Sequence, residues 1–284
     1  MAALKLGLIG NGAIARQIAK YCDAHAQRFA IVGALTKPDQ TRPAGDYPLV
    51  RGLAELLDLR PTLVIECAGH AAVKQFGAQV LSRGIELVLV SVGSLCDESL
   101  LAQLRRAEAE GNAQLIIAAG ALPGMDTLST AALAGLQNVK LQSSKPPAAW
   151  RGTPAEATHN LGRIASPTVI FEGNAREAAL LYPKNANVAA TAALAGIGFE
   201  RTRVVLIADP GISHNRHLLE ASGAFGRLSM AIEATPSPDN PKTSMIAALS
   251  VLKILEQEAT KYAHLGNRNV SNPTEKAAPI VIWI

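Results

Sequence analysis

Apolar and polar positions fall into two regimes along the 284-residue chain. Up to about residue 120, short and almost uninterrupted apolar runs occupy 5–9, 30–35, 63–69, 86–90 and 115–118. A run apolar on both of its alternating sides reads as a strand covered on both faces. Between the runs, apolar residues recur at helical spacing. Ile14, Ile18 and Cys22 mark one face of a first helix, and further helices are predicted over 71–82 and 98–110. Strand and helix in strict alternation predict a doubly wound parallel sheet of Rossmann type.

Past residue 121 the pattern changes. It predicts a helix over 127–136 capped by Asp126, a strand over 139–144, and a long Pro-, Ala- and Thr-rich loop over 146–167 that carries Trp150. A strand at 168–171 precedes Asn174, which has Glu177 three residues on, the spacing of a capping box. A small-residue helix over 187–196 is expected to close at Gly196. Strands then follow one another at 202–208, 215–221 and 226–234. Successive strands predict an α+β domain with a mostly antiparallel sheet and helices on one face. An amphipathic helix over 243–262 sets Ile246, Leu249, Leu252 and Leu255 on one side, and the apolar stretch 278–284 reads as a last strand or a subunit contact. The expected division is 1–120 for a dinucleotide-binding domain, 121–240 for a substrate domain, and 241–284 for a helix and tail that pack back on the first domain.

Composition narrows the function classes. Hydrophobic residues make up 49 % of the chain and charged residues 18 %, so a large core is available. The net charge of +4 comes from scattered rather than clustered basic residues, which argues against a nucleic-acid partner. Cys22, Cys67 and Cys96 lack metal-ligand spacing and read as buried thiols of a reducing compartment, so no metal is expected. No apolar run is long enough to span a membrane, and because a strand begins almost at once no signal peptide is expected before the fold. The expectation is a cytoplasmic protein with neither a membrane nor a nucleic-acid partner.

The sharpest chemical signal sits at the first strand-to-helix junction, Gly10-Asn11-Gly12-Ala13-Ile14-Ala15. In a Gly-x-Gly-x-x-Ala turn the first glycine permits the tight bend, the second lets backbone approach a pyrophosphate, and the alanine lets helix and strand pack closely. Gly10, Asn11, Gly12, Ala13 and Ile14 are therefore expected to hold an NAD or NADP pyrophosphate at the helix N-terminus. At the end of the second strand, where an acid would bind ribose hydroxyls, the chain has Leu35, Thr36 and Lys37. Thr36 can donate to a 2′-phosphate and Lys37 or Arg42 can neutralise it. The opposing reading makes both cations plain turn residues. Ligands of such sheets lie beyond the carboxyl ends of the strands. Cys67-Ala68-Gly69, Ser91-Val92-Gly93 and Gly120-Ala121 are thus expected beside the cofactor. Cys67 reads as a core thiol rather than a nucleophile.

Of the six histidines, His214 and His217 lie between a turn and a strand of the second half and are the candidates for acid–base work. The chain resembles the L-aspartate dehydrogenases. The resemblance is carried in order by the glycine turn, Glu66-Cys67-Ala68-Gly69, Ser91-Val92-Gly93-Ser94-Leu95, Ala119-Gly120-Ala121, Lys145-Pro146-Pro147, the segment from Asn185 to Thr191, and Asn215-Arg216-His217 before Gly223-Ala224-Phe225-Gly226. It implies that His217 is the catalytic residue, that Ala121 and Asn187 bind NAD(P), and that L-aspartate is the substrate of a homodimer or larger homo-oligomer. The family usually has Ser-Gly-Ala-Ile where this chain has Ala119-Gly120-Ala121-Leu122, so a hydrogen bond from that serine is missing here. Asn187 also reads as an ordinary helix cap. Lys145 and Arg216 are candidates to meet the substrate carboxylates, and activity is expected to rise with pH through the imidazole pKa. Other two-domain reductases, of the dihydrodipicolinate reductase or homoserine dehydrogenase kind, and a non-catalytic NAD(P)-binding sensor are the alternatives.

Overall fold

A computed structural model describes residues 3–183, 187–237 and 240–266. Asn185, Ala186 and the apolar stretch 278–284 lie outside the described residues. Contacts divide the chain into two units. The first joins residues up to Ala118 with the segment that begins at Ala248, and the second comprises Ala119–Ala247.

In the first unit β1 (Leu4–Ile9), α1 (Ala13–Ala24), β2 (Phe29–Leu35), β3 (Leu49–Val50), α2 (Leu53–Asp58), β4 (Leu63–Glu66), α3 (His70–Leu81), β5 (Glu86–Leu89), α4 (Glu98–Gly111) and β6 (Leu115–Ile117) follow in turn. The sheet runs β3-β2-β1-β4-β5-β6 with every pair parallel. This is the doubly wound order whose strand sequence reverses between β1 and β4, the place where such sheets bind ligands. Residues of β4 and β6 are buried on both sides, as continuous apolar runs require. Asp97 opens α4 by accepting from the Ser99 and Leu100 N–H groups. Pattern reading finds neither β3 nor α2, because a two-residue strand has no period to read and a six-residue helix spans fewer than two turns.

The second unit contains α5 (Met125–Leu133), β7 (Leu136–Lys145), α6 (Ala155–Thr158), β8 (Thr168–Asn174), α7 (Ala175–Leu181), α8 (Asn187–Ala195), β9 (Thr202–Ala208), β10 (Asn215–Gly223), β11 (Gly226–Ala234), β12 (Pro236–Ser237) and β13 (Asn240–Ser244). Its sheet runs β11-β10-β7-β9-β8. All neighbours are antiparallel except β7 and β9, so the sheet is mixed but mostly antiparallel.

Several local expectations are corrected. Asp126 is not the cap of α5. Gly124, at φ +68, sits there instead, and the helix stops at Leu133 because Gly135, at φ +85, turns the chain into β7. The 146–167 segment is not an open loop. It holds short helical turns around Trp150, which is fully buried and donates its Nε1–H to the Ile207 carbonyl at 3.2 Å. After α8 the left-handed residue is Gly198, at φ +86, whose N–H reaches the Ala193 carbonyl, rather than Gly196. Asn174 and Glu177 do form a reciprocal capping box at α7.

The last helix, α9 (Met245–Gly266), starts later than expected because β12 and β13 pair just before it. Its buried stripe is Val251, Ile254, Leu255 and Ala259, which join the core of Leu6, Leu8 and Ile18, while Leu249 is 49 % exposed. Tyr21 donates its hydroxyl to Glu256 at 2.7 Å, and Arg28 forms an ion pair with the same carboxylate. Among the described residues no helix is long and apolar enough to cross a membrane, and no cluster of potential metal ligands occurs.

Candidate active site

In the first unit, β1 ends in Gly10 at φ +112, a backbone region costly for any residue with a Cβ. A Cβ there would also stand 3.0 Å from the Cys67 carbonyl carbon and oxygen. The turn is therefore pressed against the end of β4. Gly12 differs, because a Cβ built on it would meet nothing within 4 Å. The space it would enter belongs to a cleft of about 510 Å³ lined by Gly10, Asn11, Gly12, Thr36, Lys37, Arg51, Cys67 and Ala68 among others. α1 has no acidic residue in its first turn, so its unpaired N–H groups face the region without a repelling carboxylate. Bare glycine backbone, a helix N-terminus and open volume fit a dinucleotide phosphate.

The side chain of Asn11 is committed elsewhere. Its Nδ2 donates to the Arg42 carbonyl at 2.8 Å, and its Oδ1 accepts from the Ala44 N–H at 3.0 Å and the Tyr47 hydroxyl at 3.3 Å. Ala13 and Ile14 begin α1 outside the lining, and Ile14 packs on the core. Cys67 donates weakly to the Ile9 carbonyl, and burial pushes its thiol far above the usual range, the state of an inert thiol. Arg42 is outside the lining. The cation beside Thr36 is Arg51, whose Nη1 donates to Thr36 Oγ1 at 2.7 Å.

Ser91 and Gly93 are also outside the lining and are buried in a short helical turn. Ser91 is instead bound to Glu66, a residue to which the sequence pattern assigns no role of its own. Glu66, at the end of β4 and only 1 % exposed, accepts from the N–H groups of Ala68, Gly69 and Ser91 and from the Ser91 hydroxyl, all at 2.7–3.0 Å. Burial raises its pKa although all four donors pull it down. One carboxylate thus ties together the loops that leave β4 and β5. A lone acid in an apolar strand was the available signal.

In the second unit, His217 lies on β10 opposite Ser143 of β7. The imidazole is 2 % exposed, and its Nδ1 is 2.8 Å from Ser143 Oγ. Lys145 is two residues beyond Ser143 on the same strand, hence on the same face, and is 9 % exposed with its Nζ 5.5 Å from the centre of the Trp150 ring. Desolvation, helped by the Lys145 charge, pushes His217 down to about 3. Desolvation lowers Lys145 to about 8. At neutral pH the imidazole is therefore uncharged and the amine is mostly an ammonium. Arg216 alternates to the opposite face, where it stands across from Glu233 at 3.6 Å and is about half exposed. The structure brings Lys145, not Arg216, to the histidine. His214 stays in the turn with its Nδ1 2.9 Å from Ser213 Oγ. Ala121 precedes α5, and Asn187 is the exposed first residue of α8. Both belong to the second unit, whereas the described residues that line the cleft belong to the first.

Comparison with known proteins places this arrangement. The family described as aspartate dehydrogenase, C-terminal, matches residues 126–258, and the homoserine dehydrogenase NAD binding domain matches residues 7–118. An L-aspartate dehydrogenase of Ruegeria pomeroyi is 42 % identical over 89 % of this chain and 92 % of its own length. One from Pseudomonas aeruginosa is 39 % identical over 90 % of this chain and 98 % of its own. The chain belongs to the L-aspartate dehydrogenase family. A crystal structure of the family, the aspartate dehydrogenase of Thermotoga maritima, superposes with a TM-score of 0.72 at 26 % identity over 90 % of this chain and 97 % of that one. A dihydrodipicolinate reductase from Paenisporosarcina shares the fold alone, at 13 % identity and a TM-score of 0.53.

Proposed function

We propose that the chain oxidises L-aspartate with NAD(P)+ and water to oxaloacetate, ammonium, NAD(P)H and a proton, through iminoaspartate. The observation that carries the reading is a buried, uncharged imidazole fixed by Ser143 on the same sheet face as a buried ammonium, in a member of this family. NAD(P)+ supplies the hydride acceptor when bound to the glycine turn. The other tasks fall to this chain. Lys145 holds one substrate carboxylate, and its desolvated charge acts more strongly there than it would in water. His217 serves as general acid and base. With Nδ1–H donating to Ser143 Oγ, Nε2 has a lone pair that takes a proton from the water attacking the imine. The imidazolium so formed keeps its Nδ1–H on Ser143 Oγ and passes the Nε2 proton to the leaving amine, which returns the ring to its neutral form.

In this reading the first unit carries the cofactor, residues 121–240 carry the substrate groups, and Ala121 and Asn187 touch the nucleotide. We further propose a cytoplasmic homodimer or larger homo-oligomer whose product feeds NAD biosynthesis. The test is L-aspartate-dependent formation of NADH and NADPH, followed in parallel. His217→Ala and His217→Asn should lower turnover by about 10²- to 10⁴-fold, the usual worth of a general acid–base group. Cofactor affinity should be unchanged. Full turnover in both variants removes His217 from the mechanism.

A further inference from the structure

The end of β2 holds a cation cluster that Gly-x-Gly-x-x-Ala does not explain. Arg51 follows β3, which pairs with β2 so that Leu35 stands beside Val50. This short pairing delivers the guanidinium to Thr36. Nη1 donates to Thr36 Oγ1 at 2.7 Å and to the Lys37 carbonyl, and Nη2 donates to the Gln40 carbonyl at 2.8 Å. All three acceptors are uncharged. Glu55 takes the Arg51 backbone N–H, at 3.3 Å, rather than the side chain. A guanidinium has five N–H donors, so Nε–H and one Nη2–H remain for a further acceptor. Lys37 and Arg51 both line the cleft, and Asp39 is the one acid among its described lining residues. The residues that directly follow β2 are Thr36 and Lys37, neither of them an acid that would bind ribose hydroxyls and repel phosphate.

We infer that Arg51, with Thr36 and Lys37, forms a site for the 2′-phosphate of an adenine nucleotide and makes the cleft selective for NADP(H). The inference rests on the nucleotide reading of the cleft and is independent of the substrate. Arg51 is held in place by the loop before any ligand arrives, so little side-chain entropy is lost on binding, and its planar fork suits a phosphate better than a point charge does. Thr36 Oγ1 accepts from Arg51 and keeps its own proton to donate. Of the two cations suggested by sequence position, Lys37 lines the cleft and Arg42 is outside the lining, its carbonyl accepting from Asn11.

The experiment is calorimetric titration of the full chain with 2′,5′-ADP and with 5′-AMP, which differ only in the 2′-phosphate and lack the nicotinamide. The wild type is expected to prefer 2′,5′-ADP by about tenfold or more, the ratio that one charge-assisted hydrogen bond can supply. Arg51→Ala should lower 2′,5′-ADP affinity by about 10- to 100-fold and leave 5′-AMP within about twofold. Arg51→Lys should give an intermediate loss, and thermal unfolding of each variant checks that it folds. A wild type without preference overturns the assignment. Equal loss of both ligands in Arg51→Ala also overturns it, because Arg51 would then only order the loop. Failure of the wild type to bind either ligand removes the nucleotide site and this inference together. A chain that discriminates as expected yet oxidises no aspartate keeps the 2′-phosphate site and loses the proposed reaction.

Discussion

His217 owes its character to what surrounds it. An imidazole in water titrates near neutrality, but this one is sealed between β10 and β7 beside the Lys145 ammonium and is pushed down to about 3. With the ring held neutral across the ordinary working range, no rise of activity through an ordinary histidine pKa is expected, in place of the climb that the sequence alone suggests. The pH-sensitive partner is Lys145, lowered to about 8. If it holds a carboxylate, affinity for succinate, which lacks the amine of aspartate, should fall about tenfold per pH unit above that value. Inhibition constants measured from pH 6 to pH 10 check this, and Lys145→Met should flatten the profile. The same shift has a stability consequence. The unfolded lysine keeps its proton up to 10.5, so between about 8 and 10.5 the unfolded chain binds more protons and stability from this group rises with pH. Below about 8 the buried charge costs roughly 3 kcal/mol, which Lys145→Met should recover in a denaturation midpoint at neutral pH. Residue pattern alone offers His214 and His217 alike, and the family resemblance points to His217. Burial separates them, and neither that burial nor Ser143 is legible in one chain, because the partner strand lies 74 residues away.

At the scale of elements, the β1–α1 turn and the β4 terminus form one construction. Gly10 and Gly12 have the different jobs that the motif assigns them, one shaping the turn and one leaving space. Gly10→Ala should cost about 1–3 kcal/mol, because a positive-φ backbone cannot take a Cβ without strain. Gly12→Ala should leave the unfolding midpoint unchanged, since nothing of the protein lies within 4 Å, yet abolish nucleotide binding. Glu66→Gln should destabilise by about 1–3 kcal/mol, because an amide N–H₂ would face N–H groups that now have an acceptor. Chemical denaturation in parallel with NADP titration separates these outcomes. The apolar runs of β1, β4, β5 and β6 and the cap of α7 were readable because each is a local pattern. β3 was not, and with it went the reason for Arg51 to reach Thr36. The start of α5 was misread because Asp126 is a good cap by type, whereas the backbone turns at Gly124.

At the scale of the molecule, the first unit is built from two separated stretches. β1 and α1 share their core with Val251, Ile254, Leu255 and Ala259 of α9, and Tyr21 and Arg28 both bind Glu256. Burying Val, Leu or Ile contributes about 1.5–3 kcal/mol per side chain. A chain cut after Thr243 should therefore lose nucleotide binding although the whole glycine turn is present, with NADP no longer raising the unfolding temperature. The comparison with full-length chain is a thermal melt with and without nucleotide.

The split also sets an order of events during translation. A ribosome releases β1 to β6 first, then every strand of the second sheet, and only afterwards the helix that seals the opening layer. Domains tend to mature as they emerge. Here the part made first must wait with its hydrophobic surface open while the part made second completes itself, so a stall before residue 248 would strand a nascent chain whose later half is finished and whose earlier half is not.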